Sequence, residues 1–593
     1  MGRGGVSSSH MAALALTLGT YTALAVAYFG WGKVLARALQ FDQPQTENYP
    51  ATFLIWSGWS LTLCLFHLIH FAFPLNAYAV APVFALGIVF SFIYRAATGR
   101  SRPIGSAVRR HAFILAFVVV LPILAAWVAS RAMLSPMIYD SGLYHFNTIR
   151  WLNAFPIIPG LGNLHGRLAF NHAFFPYVAA LNFDPYFNHG RSLANSFLLL
   201  LATATSFELL IRGMKRPCFS ESNLLRWASA LFVLPILVYL ALSSYELASP
   251  SPDLTSQLLQ LVMFMIMARA VGDYIEEGRS PLFATTVLGV LTATAITIKL
   301  SNLAFSAVVV SLAVVGVSKT PIHRTRAVIF ILLPAALILL VWGVRGWVLS
   351  GAPLYPSTVG YIAFDWAVPV ERIVDEANWV YSWARHPDKH WRDVLGSWDW
   401  FEPWTASVKK RRTEIVFPLA TFLVFSIVSI FIVVFCRREE AARPRLQWLI
   451  VLPLIAGLVF WFFTAPDPRF ANAVILLLPV SVILGFLCLI RSRVNTTAFA
   501  VIFCIVFLAG NYHFLENIHR HPWKITQFSK NGWHAVKKVP LTTKVTDSGL
   551  NVFTPKAGDQ CWDAPLPCTP NFEHDLRLRR PSDMASGFSV QMR

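Results

Sequence analysis

Apolar runs of about twenty residues recur along almost the whole chain, separated by short polar or basic stretches. A run of that length crosses the hydrocarbon of a bilayer as a helix. Lipid offers no partner for backbone N–H and C=O groups, and a helix satisfies them internally. About fourteen such spans are expected by length and hydropathy, near 11–31, 51–73, 76–95, 112–129, 193–212, 227–246, 255–272, 281–298, 301–318, 328–348, 415–436, 448–464, 470–490 and 497–513. Composition agrees, since 56% hydrophobic and 13% charged residues lie far outside the soluble mixture. The alternating pattern of an outer-membrane barrel is absent. The expected fold class is therefore an all-α polytopic membrane protein. The first run lacks a small-residue cleavage site and reads as a span rather than a removable signal peptide.

The formal charge of +19 does not point to nucleic acid, because Arg and Lys fall in short clusters between apolar runs. An alternating path puts the clusters at 95–110, 212–216, 319–326, 437–445 and 491–493 on one side, the cytoplasm by the positive-inside rule. Both termini then lie outside, with three large pieces: 130–192, 349–414 and the tail from 514 to 593. The expected organisation is accessory spans in 1–111, a membrane core in 112–513 and a small extracytoplasmic tail in 514–593. Lys409, Lys410, Arg411 and Arg412 conflict with this map, either as a topology error or as a phosphate-binding cluster. Most cysteines fall in spans or near the cytoplasmic face, where thiols stay reduced. Cys561 and Cys568, close together in a proline-containing stretch of the outer tail, suit a small disulfide loop, with two free thiols as the alternative.

Polar residues collect in the outer pieces. Tyr139-Asp140-Ser141-Gly142-Leu143-Tyr144-His145 follows directly on an apolar run, and the residues after it have helical spacing. Asp140 is either the N-cap of that helix or a general base whose pKa partial desolvation raises toward the working range. Tyr144 and His145 either orient it, bind substrate or anchor the interface. Asn163, His165, Arg167, Asn171 and His172 in the stretch 159–172 are donors and acceptors of the kind that read sugar hydroxyls or a phosphate, or that hold a structural loop together. No spacing there matches a recognised metal pattern. Asp253 either caps the span that follows it or joins Asp140, in which case the two hold a divalent cation or divide base and orienting roles. The third piece carries Arg345 at its head, Gly351-Ala352-Pro353-Leu354-Tyr355-Pro356, and seven tryptophans from Trp366 to Trp404 that suit an aromatic belt or sugar-stacking platforms. Arg469 stands in Pro466-Asp467-Pro468-Arg469-Phe470, and a cation at that depth calls for an anionic partner such as a lipid phosphate.

The order of these short motifs resembles the GT-C superfamily of integral membrane glycosyltransferases. The likeness runs from a span leading to Asp140, through Pro252-Asp253 at a short outer turn, to the Gly-x-Pro-x-Tyr-Pro turn after an Arg-bearing span and Pro-Arg-Phe entering a late span. It covers about residues 112–490. Three spans stand ahead of the segment matched to the first core helix. Tyr139–His145 and Gly558-Asp559-Gln560-Cys561-Trp562 also resemble a largely uncharacterised family of bacterial multispanning proteins.

The GT-C resemblance implies transfer of a sugar from a polyprenyl-phosphate donor to a glycan, lipid or protein acceptor on the outer face of a bacterial inner membrane. It implies Asp140 as base and Asp253 as second acid. Arg345, Lys409, Lys410 and Arg469 become phosphate contacts, and Tyr144, His145, Asn163, His165, Arg167 and His172 substrate contacts. A lipid-linked sugar flippase or other transporter is the rival reading, and an envelope scaffold a third. A transporter built from repeats carries matching broken segments in its two halves, which the sequence does not show, and ionisable groups within its spans, of which Glu208, His67 and His70 are the few examples.

Overall fold

A computed structural model describes residues 7–39, 50–97, 111–213, 219–278, 280–317, 321–435 and 445–590. Much of the basic clustering that sets the expected orientation (100–110, 215–216, 319 and 437–443), with Cys218 and Cys436, lies outside these residues. Twelve helices among the described residues are long and apolar enough to cross a membrane. Two shorter apolar helices, Ala77–Ile93 and Leu282–Ile298, stand at the two remaining expected positions. The chain is a multi-pass membrane protein.

Three spans form the interior. Helices Gly190–Gly213, Pro252–Glu277 and Pro468–Arg491 are buried on nearly every side, whereas spans such as Phe417–Phe435 keep an apolar face outward. A helix apolar all round belongs inside a bundle, and one facing lipid needs no polar stripe.

The first three helices, Ser8–Ala38, Ala51–His70 and Ala77–Ala97, pack through glycine. A Cβ added at Gly58 meets the Tyr28 carbonyl oxygen at 1.8 Å, and one added at Gly32 meets the Leu54 carbonyl at 1.9 Å. Small residues let backbones approach where lipid supplies no hydrophobic drive for association. Tyr21 and Trp56 fasten this unit to helix Gly190–Gly213 through Ser196 (2.6 Å) and Thr205 (3.0 Å). Glu208 accepts from Ala51 N at 2.8 Å and pairs with Arg212 at 2.9 Å, so this intramembrane carboxylate caps a helix.

The three large extramembrane pieces meet on one face. The first holds the π-helical turn Ser141–His145 and helices Phe146–Ala154 and Phe174–Asn182. The second holds Val370–Trp383, Trp391–Val394 and Phe401–Lys410. The last span, Thr496–Arg520, runs past its expected end and leads into two antiparallel pairs, β1 (Leu541–Val545) with β2 (Asn551–Pro555) and β3 (Leu576–Leu578) with β4 (Phe588–Val590). Phe588 N donates to Pro159 O at 2.9 Å, and Arg579 pairs with Asp365 at 2.8 Å, which locks the tail to both loops. At this junction Gly160 has φ +64°, and a Cβ there meets the Phe588 and Trp366 carbonyls at 2.2 and 2.5 Å. Cys561 and Cys568 form the expected disulfide, and Cys64, Cys488 and Cys504 are free.

Gly58→Ala is expected to destabilise the protein by about 1–3 kcal/mol, read as a lower Tm in detergent. Gly19→Ala, with no atom within 4 Å of the new methyl, is the control and leaves Tm unchanged or higher.

Candidate functional site

Asp140 occupies the N-cap position of the turn Ser141–His145, yet its side chain makes no capping hydrogen bond. The carboxylate takes two cations instead: Oδ2 lies 3.0 Å from Arg469 and Oδ1 3.4 Å from Arg167. Arg469 also reaches Asp467 at 3.4 Å, and Asp467 caps helix Pro468–Arg491. Arg167 Nε lies 3.3 Å from Glu376 on helix Val370–Trp383. A line of alternating charge, Asp467, Arg469, Asp140, Arg167, Glu376, thus joins three distant stretches of chain.

This neighbourhood corrects the expected pKa. Burial pushes the Asp140 carboxyl up, but Arg469 and Arg167 outweigh it and hold the group below the usual carboxylate range. Asp140 is therefore ionised at neutral pH. Glu376, with one cation for a partner, is driven up by burial.

Asp253 lies in the first turn of helix Pro252–Glu277, but the capping side chain is Ser251, which accepts from Asp253 N at 3.3 Å. The Asp253 carboxylate pairs with Lys299, whose ammonium sits 3.8 Å over the Phe470 ring. The Arg469 guanidinium lies 4.9 Å from the same ring, so Phe470 is wedged between the two ion pairs. Asp253 is within electrostatic reach of Asp140, and the two expected acids are neighbours. A third carboxyl, Glu246, lies beside Asp253 and Lys299 on the short helix Ser244–Ala248. Its Oε2 is enclosed and unpartnered, and burial pushes the group up to about 8.

The remaining expected residues separate into distinct environments. Tyr144 packs beneath Arg167, its ring 6.0 Å from the guanidinium, and contacts His145, Phe170 and Phe175. Burial pushes His145 and His165 down to about 3 and His172 to about 4, so all three are neutral imidazoles. His172 Nδ1 lies 2.7 Å from the Ile298 carbonyl, next to Lys299. Asn163 donates to the Trp366 and Phe588 carbonyls at 2.9 and 3.3 Å and holds the junction with the tail. Arg345 is buried against Asn171, and Lys409 and Lys410 are exposed at the end of helix Phe401–Lys410. None of these three enters the line of charges. An aromatic cavity of about 250 Å³, lined by Arg385, Trp398, Trp400, Phe462 and Phe463 among others, shares no residue with that line.

Among the described residues no group of three or more His, Cys, Asp or Glu side chains is disposed to hold a metal ion. Asp140 and Asp253 are each matched to cations of the protein itself.

The disulfide loop covers the start of this site. Trp562 N donates to Gly142 O at 2.8 Å, and the indole lies so close that a Cβ on Gly142 meets it at 2.5 Å. Gln560 donates to Tyr139 O at 2.8 Å, Tyr139 to Asp559, and Arg150 pairs with Asp563 at 3.0 Å. Gly142 is thus required by its neighbour, one residue beyond Ser141.

Lys299, Glu376 and Glu246 were not among the expected site residues. Lys299 is the one charged residue in the sequence between 282 and 317, which is a legible signal for an intramembrane partner. Glu376 and Glu246 carry no such mark, since each lies in an ordinary polar stretch.

A family model described as a domain of unknown function (DUF8201) matches residues 14–476, and the chain belongs to this family. The match takes in the accessory helices and the whole charge line from Asp140 to Arg469, and it stops short of the disulfide tail. No curated protein and no solved structure matches the chain.

Because its folded-state pKa is raised, Glu246 contributes stability that is present below about pH 4.5 and lost as the pH rises through about 8. Glu246→Gln is expected to flatten that decline in Tm across the same window. Trp562→Ala removes a buried indole and is expected to cost about 3 kcal/mol, with faster proteolysis of the tail as the second readout.

Proposed function

We propose that this protein is an integral membrane glycosyltransferase of the GT-C kind, transferring a sugar from a polyprenyl-phosphate donor to an acceptor hydroxyl at the face that carries the three large extramembrane pieces. That face is then the extracytoplasmic one. The observation that carries the reading is the Asp140 carboxylate, kept ionised at the head of the first loop with Arg469 3.0 Å and Arg167 3.4 Å away.

The chemistry needs those charges. The acceptor oxygen attacks the anomeric carbon, its proton passes to the Asp140 carboxylate, and the bond from the anomeric carbon to phosphate breaks with its electron pair on the phosphate oxygen. Guanidinium groups stabilise the charge that develops there through paired, charge-assisted hydrogen bonds. In the resting cluster Arg469 is held by carboxylates, and an arriving phosphate competes for it. The Asp253–Lys299 pair supports the wedge of Phe470 on which Arg469 rests. Tryptophan and phenylalanine rings in the second piece are of the kind that stack on sugar faces.

The transporter reading is favoured by one observation, the pair of buried Asp253 with partly buried Lys299 at the ends of membrane helices, because a translocation route places ionisable groups among spans. A transfer assay in detergent separates the two, since a flippase makes no new glycosidic bond.

Asp140→Asn is expected to lower the Tm in detergent, because it leaves Arg167 and Arg469 without their shared carboxylate, and to lower transfer per folded molecule at least about 100-fold. Radiolabelled sugar moved from a polyprenyl-phosphate donor is the measurement, and wild-type turnover in the variant removes Asp140 as the base.

A further inference from the structure

The aromatic cavity of about 250 Å³ in the second extramembrane piece lies outside the charge line and has a distinct chemistry. In its wall Trp398 and Trp400 stack with centroids 5.4 Å apart and 25° between their planes, and Phe462 lies 6.3 Å from Trp398 at 27°. Phe463, near the end of helix Leu452–Thr464, and residues 394–397 complete the lining. The Arg385 guanidinium sits 5.1 Å over the Trp400 ring and donates to the Tyr381, Thr464 and Phe463 carbonyls at 2.8, 2.9 and 3.0 Å. Trp404 and Trp461, packed alongside, direct their indole N–H groups to the Pro466 and Asp467 carbonyls at 2.8 and 2.7 Å. Trp400 is 6% exposed, yet its N–H, like that of Trp398, has no acceptor among the described residues.

These groups describe a neutral ligand with one apolar face. The Arg385 charge is already met by three carbonyls, two of them at a helix C-terminus, and by the face of an indole, so the cavity does not call for an anion. A buried indole N–H calls for an acceptor oxygen, which an acyl chain lacks. Flat aromatic rings present electron-rich faces that suit polarised C–H groups. A pyranose ring meets both demands, with C–H bonds on its face and hydroxyl oxygens around its edge. A volume below the roughly 300 Å³ where ordinary ligand sites begin suits one such ring rather than a long chain of them. The lining also leads directly to the charge line. Phe463 runs through Pro466-Asp467-Pro468 to Arg469, and Arg385, Trp404 and Trp461 hold the carbonyls of that turn.

We propose that this cavity seats one neutral sugar ring of a glycan, with the Trp398 ring against its C–H face and the Trp400 N–H donating to a hydroxyl oxygen. The role of that ring rests on the proposed transfer: it belongs to the acceptor, because the donor phosphate is drawn to Arg469 and the cavity shares no residue with the charge line. The acceptor is then itself a glycan, bound by a ring outside the reacting centre.

The test uses the full chain in phosphatidylcholine nanodiscs with no sugar donor present, so that failure of the seat and failure of the proposed transfer are separate results. Saturation-transfer NMR follows the methyl glycosides of glucose, galactose, mannose and N-acetylglucosamine, with sorbitol, which has the hydroxyls but no ring, as the control. At least one glycoside is expected to bind at least about tenfold more tightly than sorbitol, and its affinity to fall at least about tenfold in Trp398→Ala and several-fold in Trp400→Phe. Trp383→Ala removes an exposed indole outside the cavity and is expected to leave binding unchanged, which a general aromatic belt does not predict. The preference over sorbitol is read on the unaltered protein, so it survives a variant that fails to fold. Binding by none of the glycosides, equal binding of sorbitol, displacement by a short-chain phosphatidylglycerol, or an equal loss in Trp383→Ala overturns the proposal.

Discussion

A carboxylate gripped by two guanidinium groups, Asp140 between Arg167 and Arg469, is the interaction on which the face carrying the three large extramembrane pieces depends. Each partner is anchored on a different piece of chain, and each guanidinium holds a second carboxylate, Glu376 or Asp467. Removing one member of such a set leaves a poorly solvated charge behind, which costs more than the pair contributes. The line therefore acts as a unit: the first loop, the second loop and the Pro-Asp-Pro-Arg-Phe turn are each placed by the others.

Around that unit the rest of the fold supplies rigidity. The disulfide-closed loop presses Trp562 onto Gly142, next to the turn that begins at Asp140. The accessory helices fit together backbone against backbone through glycine and are fastened to helix Gly190–Gly213 by two polar contacts.

Much of the candidate site was legible residue by residue. Asp140, Asp253 and Arg469 stand out in the sequence as charged groups where apolar runs end, because charge at such a boundary is costly unless it is paired, and Arg167 as a donor in the polar stretch 159–172. Their partners were less legible. Lys299 stands alone among apolar residues and is findable on the same ground, whereas Glu376 lies on an amphipathic surface helix like many others. Glu246 becomes unusual only when the chain folds over it. Asn163, Lys409 and Lys410 have the right chemistry for recognition, but the first holds backbone carbonyls and the other two face outward. The direction of the Asp140 pKa shift also needed the fold, since burial alone acts in the opposite sense to the cations beside it.

The sequence by itself determined the membrane-spanning class and the approximate positions of the fourteen long apolar runs, and it favoured the pairing of Cys561 with Cys568 over two free thiols. These follow from local quantities: the length of an apolar run against the thickness of a bilayer, and two thiols close together in a short proline-containing stretch. Tertiary structure alone decided which charges meet. Arg469 and Asp140 are 329 residues apart in the chain, and no local pattern encodes a contact at that separation. Coulomb attraction acts through space, so its partners are set by how the helices pack.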